Sequence, residues 1–215
     1  MFLLCIGALG AAAAVIGAVI YANLPTRWTI GAVLPTVAHL KTASLIKIND
    51  EKNIDKGDAI SGSEFLSKPS LVMAIRRPGC ILCRREAAHL SELKPLLDKA
   101  GVRLVGVVHE YKGVNDFKSF FNGDVYLDTK RTFYGPNERW LPIWMGALRL
   151  GTYVSGAAST IEGFSGNFKG EGRLLGGVYL VDGKEMVWSH LESAWGDKVD
   201  VEEVRSAIEQ YMKRN

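Results

Sequence analysis

Cysteine is scarce in this chain. Three occur in 215 residues, too few for a disulfide framework, so the fold must stand on its own packing. A structural zinc knuckle usually draws four ligands from two cysteine pairs, and only one pair, Cys80 and Cys83, is present. No Asn-x-Ser/Thr acceptor occurs, which favours a compartment without glycosylation. The glycines between Gly163 and Gly172 are not followed by Gly-Lys-Ser/Thr, and Gly170-x-Gly172 lacks the third glycine of a dinucleotide loop. That stretch therefore reads as a flexible loop near the cysteine pair. A net charge of +3 is too small to imply a nucleic-acid partner.

Charge is missing altogether from Phe2 to Thr26, a run rich in Ala, Leu, Ile, Val and Gly. It has the roughly 20 residues a bilayer span requires, without the basic start and shorter apolar centre of a signal peptide. Two readings stay open: a membrane anchor through residues 2–24, or an Ala/Gly helix packed on the domain or on a membrane surface. Arg27, Lys41 and Lys47 follow the segment, which favours a cytoplasmic C-terminal domain. Cys5 lies inside the run and reads as a small apolar filler. The remainder suits one domain, because 47% hydrophobic and 23% charged residues are globular values. The organisation expected is an apolar segment over 1–26, a connecting region over 27–69, and the folded domain over 70–215. In the connector, Leu34-Pro35-Thr36 and Lys56-Gly57-Asp58 carry turn chemistry. Ala43–Ile48 suits a short strand or helix equally, and Ser63–Lys68 suits a helical turn or two.

The chemistry concentrates in Arg76-Arg77-Pro78-Gly79-Cys80-Ile81-Leu82-Cys83-Arg84-Arg85. The apolar run Leu71–Ile75 before it has strand length, and Glu86–Lys94 after it has apolar residues at helical spacing. Two thiols three residues apart at a strand-to-helix junction read as a thiol–disulfide site. The reactive species is the thiolate, so its pKa must fall from about 8.5. A helix's first turn supplies unpaired N–H groups and the positive dipole end, and four arginines add positive charge. Cys80 is expected at the helix start, exposed and ionised, as the attacking thiol. Cys83, one turn on, is then the resolving thiol. Arg77, Arg84 and Gly79 are expected to support the pair. Glu86 is placed to relay a proton or to pair with Arg84 or Arg85. No metal or cofactor is expected.

Downstream, Pro95 should kink the helix, which stops at Gly101. Val102–Val108 reads as a second buried strand, completing a βαβ unit with a parallel pair. Val114–Phe121 predicts a short helix, Asp124–Asp128 an edge strand, and Trp140–Thr160 a helix with Pro142 in its first turn. Leu174–Val181 predicts a strand, Asp182-Gly183 a two-residue hairpin turn, and Lys184–His190 the returning strand. Val199–Lys213 predicts a closing amphipathic helix. The order is that of a thioredoxin-like α/β fold: a central mixed sheet flanked by helices, with an N-terminal apolar helix in addition.

Arg77-Pro78-Gly79-Cys80-Ile81-Leu82-Cys83-Arg84, Phe133-Tyr134-Gly135-Pro136 and the run Phe164–Val181 resemble the peroxiredoxin-like redox-regulatory proteins known as PAMM. The resemblance covers Leu71 to the C-terminus. It implies a thioredoxin fold, redox-active cysteines at Cys80 and Cys83, and an antioxidant or redox-regulatory role. It also implies a mostly cytoplasmic protein, with secretion in some members. The chain departs from peroxiredoxins proper in having Arg77, not Thr, three residues before Cys80. It departs from thioredoxins in that Leu174-Leu175-Gly176-Gly177 holds no proline where their cis-proline stands. Gly176 or Gly177 would instead admit a partner backbone.

Two functional classes follow. One is an antioxidant protein exchanging disulfides through Cys80 and Cys83, with protein thiols or disulfides and a cellular reductant as partners. The other is a membrane-tethered, thioredoxin-like binding scaffold that recognises a partner through Trp140, Trp144 and their neighbours, its thiols serving at most as a redox sensor.

Overall fold

A computed structural model describes residues 2–52 and 58–214, and for residues 2–9 the backbone alone. Lys56 and Gly57 of the expected turn, and the Cys5 side chain, lie outside the described residues. The chain opens with helix α1 (Phe2–Asn23), followed by the single turns α2 (Thr26–Thr29) and α3 (Val37–Leu40). Strands β1 (Ser44–Lys47) and β2 (Ala59–Ser61) precede the one-turn helix α4 (Gly62–Phe65). Then come β3 (Ser70–Ile75), α5 (Ile81–Glu92), α6 (Lys94–Lys99), β4 (Arg103–Val108), α7 (Val114–Phe117) and β5 (Asp124–Asp128). Helices α8 (Ile143–Leu148) and α9 (Leu150–Ile161), strands β6 (Gly177–Val181) and β7 (Met186–Leu191), and helix α10 (Val201–Arg214) complete it.

The strands form one mixed sheet in the order β2-β1-β5-β4-β3-β6-β7. Strands β3, β4 and β5 run parallel, while β6 and β1 pair antiparallel on either side of that trio. Such a sheet, covered on both faces, demands apolar residues at every position of its central strands. β3 meets that demand: Leu71, Met73 and Ile75 face one apolar cluster, and Val72 and Ala74 face the other. The first cluster is closed by α5, α6 and α10 through Ala87, Leu90, Leu97, Val204 and Ile208. The second is closed by Leu40, Phe65, Phe133 and Tyr134. Full burial of each large side chain contributes about 1.5–3 kcal/mol.

Four sequence expectations need correction. The 27–69 stretch is more than a connector, since it supplies β1 and β2 to the sheet. β5 is consequently an interior strand, because β1 covers the edge it would otherwise leave open. The Asp182-Gly183 turn is a four-residue connection: the Asp182 carboxylate accepts from the Lys184 and Glu185 amides, and β6 shifts register at Leu180/Val181. The expected 140–160 helix is two helices. Pro142 precedes α8, Arg149 adopts an extended conformation between α8 and α9, and Trp140 stands apart, bridged to Leu174. Among the described residues, no helix is long and apolar enough to cross a membrane.

Candidate functional site

β3 ends at Ile75, the chain turns through Arg76–Gly79, and Cys80 occupies the N-cap of α5 in an extended conformation (φ −76°, ψ 128°). The Arg84 amide donates to the Cys80 carbonyl, closing the first turn with Cys83 inside it. Both sulfurs are free thiols. So far the junction is as the sequence has it. The exposure is not: Cys80 and Cys83 are each only 4% exposed.

The cause is the loop over 163–172, which lies across the turn. The Asn167 amide donates to the Gly79 carbonyl at 2.7 Å. Arg84 reaches between the two segments, donating to the Pro78 carbonyl (3.1 Å) and the Ser165 carbonyl (3.0 Å). Further along, Glu110 accepts from the Glu171 amide. Two glycines permit this closeness. A methyl on Gly79 would overlap the Asn167 side chain, and one on Gly166 would stand 2.6 Å from the Ile81 nitrogen.

Burial of this kind does not put the sulfurs in plain hydrocarbon. Both cysteines belong to the apolar cluster, yet Arg76 also reaches them. Its guanidinium donates to the Cys80 sulfur at 3.2 Å, to Glu192 Oε1 at 2.9 Å and to the Gly172 carbonyl at 3.1 Å. Cys80 is held well below the ordinary thiol range, chiefly by the hydrogen bond from the Cys83 thiol, against the opposing effect of burial. Arg76, the Cys83 amide and the more distant Arg77 add to the lowering. Cys83 is pushed well above that range by the same hydrogen bond, by burial, and by the neighbouring sulfur's charge. The two sulfurs are thus unequal, with Cys80 the one that gives up its proton more readily.

The remaining arginines have other work. Arg84 pins the covering loop, and Arg77 lies over the Phe168 ring at 5.5 Å. Arg85 pairs with Glu162 rather than Glu86. Glu86 instead accepts from the Val199 amide, and burial followed by the charge of Glu192 pushes its carboxyl up to about 7. It borders a small cavity with Cys83, Leu82, Glu192, Ser155 and Ser159. Its expected pairing with Arg84 or Arg85 is not formed, because those side chains already have partners.

Glu192 is the residue that sequence reasoning missed. Its second oxygen accepts from the Gly176 amide at 2.9 Å, so one buried carboxylate joins Arg76 to the start of β6. Arg139 closes the arrangement by donating to the Glu192 and Gly176 carbonyls. Nothing local marks Glu192, since it lies 112 residues beyond Cys80 and meets it only through the β6–β7 hairpin. Gly176 has no partner backbone to admit: a methyl there would overlap the Ala74 carbonyl of the chain's own β3. No cis peptide occurs among the described residues. Nor, among them, does any group of three or more His, Cys, Asp or Glu side chains suit a metal.

Residues 89–194 match the family model described as AhpC/TSA antioxidant enzyme. That match begins downstream of both cysteines. The chain is 39% identical over 203 residues to peroxiredoxin-like 2A of Danio rerio, covering 93% of each. It is 46% identical over 143 residues to peroxiredoxin-like 2A of Rattus norvegicus, and 46% over 142 residues to that of Homo sapiens. Those two alignments take in about two thirds of this chain and span 62% of each relative's length. Among solved structures, a peroxiredoxin-like protein from Aquifex aeolicus matches with a TM-score of 0.51 at 15% identity, over 85% of this chain and 90% of that one. Xanthomonas campestris peroxiredoxin Q matches at 0.50 and 16%, over 86% and 98%. Both likenesses are of fold.

Proposed function

This chain belongs to the peroxiredoxin-like antioxidant family, and from that premise we propose that it is a redox-regulatory protein working by thiol–disulfide exchange at Cys80 and Cys83. The observation that carries the reading is the Arg76 guanidinium donating to the Cys80 sulfur at 3.2 Å, a contact that favours the thiolate at Cys80 over Cys83.

The Cys80 thiolate attacks one sulfur of a protein disulfide, forming a mixed disulfide and releasing the other sulfur as a thiolate. Cys83 then passes its proton to the thiolate already released and attacks the Cys80 sulfur, releasing the bound partner as a second thiolate. The partner disulfide has gained two electrons, and Cys80–Cys83 is left as a disulfide. A cellular reductant of the dithiol class returns the pair to its starting state. Arg76 holds the anion in place before attack, and Arg84 and Gly79 set how closely the 163–172 loop covers it.

Deep burial favours a second reading, in which the pair is a redox sensor in a binding scaffold. A pH-resolved alkylation assay separates them. Exchange chemistry requires Cys80 to react at pH 7 faster than a free thiol, and mild oxidation to give an internal Cys80–Cys83 disulfide. Under Cys83→Ser, mixed disulfides should accumulate on Cys80, and under Cys80→Ser they should not. A Cys80 no faster than a free thiol, with no internal disulfide, leaves only the sensor.

A further inference from the structure

Helix α9 is built inside out for a protein surrounded by water. Its inward side is polar: Thr152 donates to the Trp195 carbonyl and Ser155 to the Gly196 carbonyl, tying the helix down over α5 and the thiol site. Its outward side carries Leu150, Tyr153, Val154 and Ile161, exposed by 61–85%. A helix in water shows the reverse arrangement.

No charge interrupts this face. From Pro142 to Ile161 the only charged residue is Arg149, and it is turned inward to donate to the Leu24 carbonyl at 2.7 Å. The hydroxyls that face outward are already satisfied. Tyr153 donates to the Ala147 carbonyl, and Thr160 to the Gly156 carbonyl. A face whose polar atoms bond back to its own backbone suits a medium that offers no hydrogen bonds.

The face also continues onto α1. Asn23 donates to the Leu148 carbonyl and accepts from the Leu150 amide, while Tyr21 stacks on Trp144 with ring centres 6.1 Å apart. Val15, Ile16 and Ile20 of the uncharged α1 are exposed, as are Ile143 and Trp28. Trp28, Trp144, Tyr21 and Tyr153 are the side chains that settle at a bilayer's polar–apolar boundary.

We propose that the outer face of α8 and α9, joined to the C-terminal half of α1, docks on a lipid bilayer and holds the thiol site one helix thickness from the membrane surface. The docking does not depend on how Cys80 and Cys83 react.

The test is flotation of the full chain with phosphatidylcholine vesicles containing phosphatidylserine, alongside tryptophan quenching by brominated lipids. The wild-type chain should float, with Trp144 emission quenched and that component lost in Trp144→Phe. The combined variant Leu150→Glu, Val154→Glu, Ile161→Glu alters only exposed positions and should bind vesicles about tenfold more weakly or worse, with unchanged circular dichroism and unchanged Cys80 alkylation. Three results each overturn the proposal: no flotation of the wild-type chain, equal flotation of the triple variant, or a triple variant that changes only self-association in sedimentation, which would assign the face to a second copy of this chain.

Discussion

The Arg76 guanidinium stands 3.2 Å from the Cys80 sulfur, and Arg76 has no freedom to stand elsewhere. Its other nitrogens are committed to Glu192 and to the Gly172 carbonyl. Lysine keeps the charge but lacks the planar fork that serves three acceptors at once. Arg76→Lys should therefore move the Cys80 titration toward the ordinary thiol value near 8.5, with alkylation at pH 6 about tenfold slower or more. Rate-against-pH profiles with iodoacetamide would check it. A midpoint identical to the wild type would remove Arg76 from the account. Arg76→Ala should cost more, roughly 3–5 kcal/mol of stability, because Glu192 is left buried without its partner.

The covering loop is held at backbone distance from the helix start, and that closeness depends on glycine. In Gly166→Ala the new methyl would meet the Ile81 nitrogen at 2.6 Å and the Gly79 carbonyl oxygen at 2.9 Å, neither of which can swing aside. The loop must lift. Cys80 should then alkylate several-fold faster at every pH, with its titration midpoint little changed and a stability loss of about 1–3 kcal/mol. Access and ionisation are thereby separated. A slower Cys80 in this variant would mean that the loop does not govern access.

Tyr134 shows how the sheet supports the site from beneath. Its phenol oxygen lies 2.8 Å from the Ile75 carbonyl, where β3 runs into the cysteine turn, and 3.0 Å from the Val107 carbonyl near the end of the neighbouring β4. The ring itself is fully buried. Tyr134→Phe keeps the packing and loses the donor, so urea denaturation should report a loss of about 1–2 kcal/mol. Cys80 reactivity should hold, because the hydroxyl touches neither sulfur.

Local signals carried most of the fold into view, and long-range ones did not. Leu71–Ile75, Val102–Val108 and Leu174–Val181 read as strands because each is a short apolar run that a doubly covered sheet requires. β1 was ambiguous for want of length, and its antiparallel pairing with β5 is a tertiary fact, which is why β5 looked like an edge. At the site, Cys-x-x-Cys after a strand marked both sulfurs and placed Cys80 at the helix cap. The arginine cluster suggested a charged and open setting. Yet four neighbouring guanidiniums point four ways, and which one reaches sulfur is decided by Glu192, Ser165 and Glu162, all far along the chain. The cover over the thiols was equally out of view, because glycine at Gly79 and Gly166 is compatible with loose loops and tight contacts alike.

Glu86 makes the site's surroundings sensitive to pH. A free glutamate titrates near 4.5, and in the fold burial and Glu192 push this one up to about 7. Below 4.5 both folded and unfolded chains hold the proton, and the group's stabilising contribution is complete. Between 4.5 and 7 the unfolded chain releases the proton while the folded chain retains it, so stability falls as pH rises. Above 7 the folded chain carries the buried charge and the full loss is reached, at most about 3 kcal/mol. Glu86→Gln keeps an acceptor for the Val199 amide, 3.1 Å away, and removes the titration. Urea midpoints measured under reducing conditions from pH 4.5 to 8 should converge for the two proteins at the acid end. Toward pH 8 the variant should become the more stable. A difference that stays flat across this range would mean that Glu86 ionises as an ordinary surface carboxylate.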